Sequence, residues 1–256
     1  PINSIESFSE FENKELFPGI LKQSKFGYDG KGQHQVNSFS EVKAALDGSS
    51  ENEFILEKKL NLDKEISVVL SRSSDGVSEI FPVIENQHEA GILDLSIIPA
   101  RVSENFKKEA VSYALKIAKN LNYVGTIAVE FFISDDKLYV NEIAPRPHNS
   151  GHFTIDACNV SQFDLQVLSL VDKSLIEINL EKNAVMLNLL GDLWFKNGEP
   201  KTPNFEEIEG PGINIHLYGK NQPRSGRKMG HITVVGEKLE NLINKVEEIR
   251  LKLLEM

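Results

Sequence analysis

Glu130 and Glu142 stand on two apolar runs of "VGTIAVEFFISDDKLYVNEIAPRP", separated by a turn-forming stretch from Ser134 to Lys137. That pattern predicts a β-hairpin. Paired positions on its two arms have numbers that sum to a constant. If the turn is Asp135–Lys137, Glu130 lies directly opposite Glu142. If the turn has two or four residues, Glu130 faces Asn141 and Glu142 lies one step further. In either register two carboxylates and an amide gather across one strand pair. Opposed like charges destabilise a sheet unless something neutralises them. A hard cation does so, and magnesium usually takes one or two carboxylates together with substrate phosphates. The competing reading is a solvated acid pair on an exposed face. Ile127, Val129, Phe131 and Ile133 are apolar, which predicts that the other face of this strand is core.

Arg146 follows Glu142 between Pro145 and Pro147, which stiffen the backbone around it. A cation fixed beside two acids reads as an anion holder next to a metal. His148 and His152 are four apart, but Pro147 and Ser150-Gly151 argue against a helix there, and hence against a zinc pair. Upstream, Lys22 ends a short apolar run before "KFGYDGKGQHQV", where Gly27, Gly30 and Gly32 allow backbone N–H groups to converge on an anion. The loop matches neither G-x-x-x-x-G-K-[ST] nor G-x-G-x-x-G, so alone it is little better than a turn. "RSGRKMGH", Arg224 to His231, is a second basic cluster in a chain of formal net charge -10.

That acidic balance disfavours bulk nucleic-acid binding. The single cysteine, Cys158, permits no intrachain disulfide and fits a reducing, cytoplasmic compartment. No apolar run approaches the ~20 residues of a membrane span. The elements that must position the candidate residues read as follows. Strands are expected at Phe17–Gln23 and Glu53–Lys58, around a short helix capped by Ser40 and stopped by Gly48. A hairpin turns at Ser74-Asp75-Gly76, and "GILDLSIIPARV" supplies a further strand. Ser103 caps the clearest helix, and another begins near Ser161. Strands at Ala184–Leu190, Ile213–Leu217 and His231–Val235 precede an amphipathic helix from Leu239 to Leu254. Strands and helices without regular βαβ alternation define an α+β class.

Taken together, "GILKQSKFGYDGKGQ", "ILEKKLNLDKEISVV", "PVIENQHEAGIL", "YVGTIAVEFF", "VNEIAPRPHNSGH", "SQFDLQ" and "RSGRKMGH" resemble the ATP-grasp enzymes, in the 5-(carboxyamino)imidazole ribonucleotide synthase (PurK-type) family. The resemblance implies an ATP-grasp fold, two α+β subdomains with nucleotide between them, followed by a small mostly-β C-terminal domain. The boundaries expected are 1–60 for the lid subdomain, 61–175 for the core and 176–256 for the C-terminal domain. It implies a reaction in which ATP phosphorylates bicarbonate to carboxyphosphate, and 5-aminoimidazole ribonucleotide is then carboxylated with release of ADP and phosphate. ATP and Mg2+ are the implied cofactors, without biotin, and the implied assembly is a homodimer. Neither nucleic acid nor membrane is an expected partner.

By motif, Lys22 contacts ATP phosphates, and Gly27, Tyr28, Asp29, Gly30, Lys31, Gly32 and Gln33 form a lid over them. Glu57, Lys58, Lys59 and Leu60 meet adenine through backbone groups, Glu65 holds the ribose hydroxyls, and His88 belongs to the nucleotide site. Glu130 and Glu142 bind magnesium with Asn141 beside them, and Arg146 holds bicarbonate or carboxyphosphate. Arg146 and Asp29 are the implied catalytic pair. Tyr28, Asp29, His148 and Asn149 face the aminoimidazole, and Lys220, Arg227 and Lys228 hold the ribotide phosphate. Two departures stand out. The family opens with an α/β domain absent from this chain, so a C-terminal portion of a longer enzyme is expected, one that folds yet lacks full activity. Lys58-Lys59 is also more charged than a buried hinge should be. Rival readings are another ATP-grasp ligase, a Mg-ATP-binding module without turnover, and an α+β domain whose acids are structural.

Overall fold

A computed structural model describes residues 2, 14–24, 32–47 and 53–256. The chain divides into two compact units: Pro1–Asn61 with Ala90–Ile92, and Leu62–Glu89 with Leu93–Met256.

The first unit is built on an antiparallel three-stranded sheet of β1 (Gly19–Gln23), β2 (Gln33–Val36) and β3 (Phe54–Lys58), with β1 in the middle. Helix α1 (Phe39–Asp47) packs on it through Val42, in a core with Ile2, Leu21, Val36 and Phe54. The cap of α1 differs from expectation. Ser38 Oγ, not Ser40, accepts a hydrogen bond from the Glu41 N–H at 3.4 Å. Ser40 lies inside the helix, because apolar Phe39 is drawn into its first turn to reach that core. Gly48 lies outside the described residues.

The second unit carries β4 (Lys64–Arg72), β5 (Ser78–Ile80), β6 (Ile84–Glu89), β7 (Ile92–Ile98), β8 (Gly125–Ser134), β9 (Lys137–Ala144) and β10 (Asn183–Leu190). A two-stranded ribbon of β11 (Phe195–Lys196) and β12 (Glu199–Pro200) follows, then β13 (Ile213–Leu217) and β14 (Lys228–Gly236). All but the ribbon form one nine-stranded sheet, in the order β13-β14-β10-β7-β6-β4-β8-β9 with β5 on β4. Its helices are α2 (Glu104–Asn120), α3 (Thr154–Ala157), α4 (Gln162–Leu170) and α5 (Leu239–Glu255). The C-terminal strands thus continue the hairpin's own sheet, through the antiparallel pairing of β10 with β7.

One face of this sheet is apolar. Ala110, Ala114 and Ala118 of α2 recur at helical spacing, and their small side chains lay the helix close on Ile66, Val68, Leu70, Ile127, Val129, Phe131 and Ile133. The core role expected for the last four is therefore observed. Leu242, Val246, Ile249 and Leu253 do the same for α5, over Val185, Leu187, Ile232 and Val234. Side chains alternate along a strand and directly paired residues share a face. The opposite face consequently receives Glu65, Ser67 and Ser71 of β4, and with them Glu130, which pairs with Ser67, and Asn86, which pairs with Glu65.

The β8–β9 hairpin combines both expected registers. Its turn is the two residues Asp135-Asp136, at φ 50° and 55°. From Ser134↔Lys137 to Phe131↔Val140 the pairing is the one that would set Glu130 against Asn141. A bulge then intervenes, and Glu130 pairs with Glu142. A bulge makes two residues of one strand oppose a single partner, so Asn141 and Glu142 are both brought to Glu130.

Candidate active site

The polar face of the second unit gathers ionisable groups from several strands. His88 Nδ1 of β6 lies 2.9 Å from Glu65 Oε2 of β4, a close charge contact more than an aligned hydrogen bond. Burial acts to lower the His88 value, but Glu65, helped by Glu130, outweighs it and raises it. His148 Nε2 lies 2.9 Å from Glu130 Oε1. Burial alone would push the Glu130 carboxyl up; His148, with His88 and Lys228, instead holds it below the ordinary carboxylate range. Glu130 is thus an ionised and largely buried acid, paired across the hairpin with exposed Glu142. An all-oxygen set of two carboxylates beside an amide suits magnesium. Arg146, exposed in the following loop, is tied down by its backbone N–H to Ala144 O at 2.8 Å and by Nη1 to Pro147 O at 3.0 Å.

The loop from Arg146 to Phe153 has its conformation set by buried hydrogen bonds. Gln162, the first residue of α4 and fully buried, uses its side-chain amide as a rung of sheet. Its Oε1 accepts the His148 N–H at 2.8 Å and its Nε2 donates to His148 O at 2.8 Å. The helix carrying it starts in a capping box between Ser161 and Asp164. A Cβ on Gly151 would lie 2.5 Å from Gln162 Oε1, so the clamp requires glycine there. From the His148 ring a buried chain runs across the sheet: Nδ1 to Ser150 Oγ at 2.8 Å, Ser150 Oγ to Ser67 Oγ at 2.9 Å, Asn86 Nδ2 to Ser67 Oγ at 2.8 Å, and Ser96 Oγ to Asn86 Oδ1 at 2.9 Å. Ser67, Asn86, Ser96, Ser150 and Gln162 were not among the expected site residues. The signal for the first of them was present as Glu65, Ser67 and Ser71 on one face of a mostly apolar strand, with Val69 between the two serines.

Asn149 has both Oδ1 and Nδ2 buried with no hydrogen-bond partner. Leaving a buried amide unpaired is costly, and such groups in a native fold call for a ligand or water. Lys220 lies with its Nζ 2.5 Å from Lys228 O, and its value is lowered, first by burial and then by repulsion from Arg227 and Lys228. Three cations that repel one another are an arrangement an anion relieves. Lys228 in turn acts electrostatically on Glu130, His88 and His152, which joins this cluster to the acid pair.

Beside it lies a pocket of about 380 Å³ lined by His152, Phe163, His216, Tyr218, His231 and aliphatic side chains. Asp156, His216 and His231 hold potential ligand atoms within 4.8 Å of one another. The His216 and His231 rings, however, are stacked 4.5 Å apart at 16°. Imidazole lone pairs lie in the ring plane, so those of two nearly parallel rings do not converge on one ion. The His148–His152 spacing builds no zinc pair either: His152 Nδ1 lies 3.0 Å from Gln162 Nε2, while His148 faces Glu130.

In the first unit Lys22 of β1 forms a 2.6 Å ion pair with Glu57 of β3, and Gln33 is the register partner of Lys22. Gly32 adopts φ 74°. Lys58 and Lys59 are exposed, Lys59 bonding Gln35 Oε1 at 2.7 Å, and Leu60 is half-buried. Their charge is therefore accommodated at the surface. Gly27, Tyr28, Asp29, Gly30 and Lys31 lie outside the described residues.

Family models match the chain in two places: an ATP-grasp domain over residues 1–163, and a phosphoribosylaminoimidazole carboxylase C-terminal domain over residues 184–245. The chain belongs to the ATP-grasp family, in the branch of the N5-carboxyaminoimidazole ribonucleotide synthases. The synthase of that name from Staphylococcus aureus (strain COL) is 42% identical over 235 residues, covering 91% of this chain and 59% of its own length. This chain thus spans about three-fifths of that relative. A crystal structure of the ADP complex of such a synthetase superposes with a TM-score of 0.86 at 37% identity, over 100% of this chain and 67% of the other. The Aspergillus clavatus synthase, in complex with ADP and 5-aminoimidazole ribonucleotide, superposes at 0.84 with 27% identity, over 98% of this chain and 66% of the other.

Proposed function

We propose that the protein containing this chain carboxylates 5-aminoimidazole ribonucleotide with bicarbonate at the expense of ATP, by way of carboxyphosphate, in purine biosynthesis. The observation that carries this reading is the pairing of an ionised, buried Glu130 with Glu142, near Lys228, which with Arg227 also repels Lys220. Transfer of a γ-phosphoryl group asks the protein for positioning and charge neutralisation more than for covalent chemistry. Glu130 and Glu142 would hold magnesium, with Asn141 alongside, and the ion would supply positive charge against the nucleotide phosphates. Glu65 and His88 serve the nucleotide; Lys22, Gln33 and the 57–60 segment are nucleotide residues by resemblance. Arg146 holds the small anion, bicarbonate or carboxyphosphate. Lys220, Arg227 and Lys228 take the ribotide phosphate, an anion that would offset the repulsion Lys220 meets from the other two. Asn149, with an unpaired donor and acceptor, reads a heterocycle that offers both, and His148 stands beside it. Asp29 and Tyr28 of the glycine loop complete the reading by resemblance. Residues 1–60, 61–175 and 176–256 act as lid, metal-bearing core and phosphate-binding segments, in a homodimer without biotin in the cytoplasm.

Calorimetric titration with ATP, with and without magnesium, tests the metal assignment. Glu142→Gln should abolish the magnesium-dependent part of nucleotide binding. Unaltered affinity would contradict the assignment.

A further inference from the structure

The geometry points to a second role for His148: it is a positioning residue for Glu130, held with its Nε2–H on that carboxylate by a buried hydrogen-bond chain that ends at Asn86 and Ser96. Two independent contacts fix the tautomer. An ionised carboxylate only accepts hydrogen bonds, so Nε2 at 2.9 Å from Glu130 Oε1 must carry the proton. The Ser150 backbone N–H, which only donates, is directed at Nδ1 at 3.4 Å, so Nδ1 must present its lone pair. Polarity then propagates outward along the chain. Ser150 O–H donates to Nδ1, which leaves Ser150 Oγ to accept from Ser67 O–H. Ser67 Oγ in turn accepts from Asn86 Nδ2–H, and Asn86 Oδ1 accepts from Ser96 O–H. Ser67, Ser96 and Ser150 are fully buried and Asn86 is 5% exposed, so water does not compete with this order. Gln162 fixes the backbone of the same histidine from the other side. The outcome is a single N–H aimed at one oxygen of Glu130, which leaves the other oxygen and Glu142 for a cation.

This inference rests on the metal assignment proposed above, and its test separates the two. Asn86→Asp is nearly isosteric and keeps the acceptor for Ser96, but it has no N–H for Ser67. Ser67 O–H then turns toward the new carboxylate, and Ser150 loses the donor that held its own proton on Nδ1. Nitrogen NMR of the histidine-labelled, magnesium-free protein reads the tautomer directly. The wild type should show His148 with Nδ1 bare and Nε2 protonated, and Asn86→Asp should move part of the population to Nδ1–H. In the full-length protein, the magnesium concentration for half-maximal nucleotide binding should rise about tenfold, the lower end of the cost of disturbing an outer-shell partner. The KM for the ribotide should stay the same. His148→Gln, whose Nε2 donor falls near that of histidine, should keep most of the magnesium affinity, and His148→Phe should not. A wild-type Nδ1–H signal, or unchanged ring signals in Asn86→Asp, overturns the tautomer chain whatever the enzyme turns out to do. A changed tautomer with unchanged magnesium dependence overturns the positioning role. A rise in ribotide KM alone assigns His148 to substrate instead.

Discussion

At the scale of residues, the site is made as much by groups that hold other groups as by those that meet ligands. The acids, the arginine and the basic cluster were legible because charge beside charge in an acidic chain stands out. Ser67, Asn86 and Gln162 were not, since small polar residues inside apolar strands and at helix starts have many local uses. Only the three-dimensional structure brings out what they touch: Ser67 pairs with Glu130 and bonds Asn86, and Gln162 clamps the backbone of His148. Asn149 offers the sharpest residue-level prediction. Its amide has no partner of its own, so Asn149→Leu removes an unpaired buried group and costs the fold little. Thermal melting should therefore be unchanged or slightly raised. Ribotide KM should rise at least tenfold, the equivalent of about 1.4 kcal/mol of a lost hydrogen bond to ligand. A falling melting temperature with unchanged KM would make Asn149 structural.

At the scale of elements, the alternating apolar pattern of β8, the cap of α2 at Ser103 and the start of α4 at Ser161 were all readable, because each depends on local chemistry. The bulge at Asn141 was not. A period-2 pattern gives either register, and the choice between them is made by what the acids face across the sheet. The cap of α1 moved from Ser40 to Ser38 for a similar reason, tertiary burial of Phe39 outweighing a local preference. Pairing of β10 with β7 is a contact between segments far apart in sequence, which no local signal carries. The hairpin turn itself is testable. Asp135 and Asp136 both sit at positive φ, which glycine tolerates far better than aspartate. Asp136→Gly should raise stability by up to about 1 kcal/mol, or about 2–4 °C in melting temperature for a domain of this size, without altering nucleotide affinity. A destabilised variant would show that the aspartate side chain does more than occupy the turn.

At the scale of the molecule, the second unit closes one sheet face with α2 and α5, and on the other sets the polar groups of the candidate site beside a further apolar core around Val69, Ala128, Phe153 and Leu165. The histidines buried there make the fold sensitive to acid. Burial, the largest cause, lowers His152 from 6.5 to about 4, with Lys228 and Arg146 adding to it, and burial with nearby histidines lowers His231 to about 3. A base whose folded value is depressed gives stability above the unfolded value, and that stability is lost as pH falls. Between pH 6.5 and about 4 the unfolded chain binds protons that the folded chain refuses, so each of the two should cost about 1.4 kcal/mol per pH unit. His88, whose value is raised, contributes in the opposite sense and above pH 6.5, outside that window. Denaturant unfolding of His231→Gln across this range should show a shallower acid slope than the wild type. An identical slope would mean that the imidazole is not held neutral by burial. The central claim concerns the whole protein and is tested there. ADP release by the full-length enzyme should require both bicarbonate and 5-aminoimidazole ribonucleotide, and should be lost in Glu142→Gln. Release that is indifferent to the ribotide in the active wild-type protein would contradict the account.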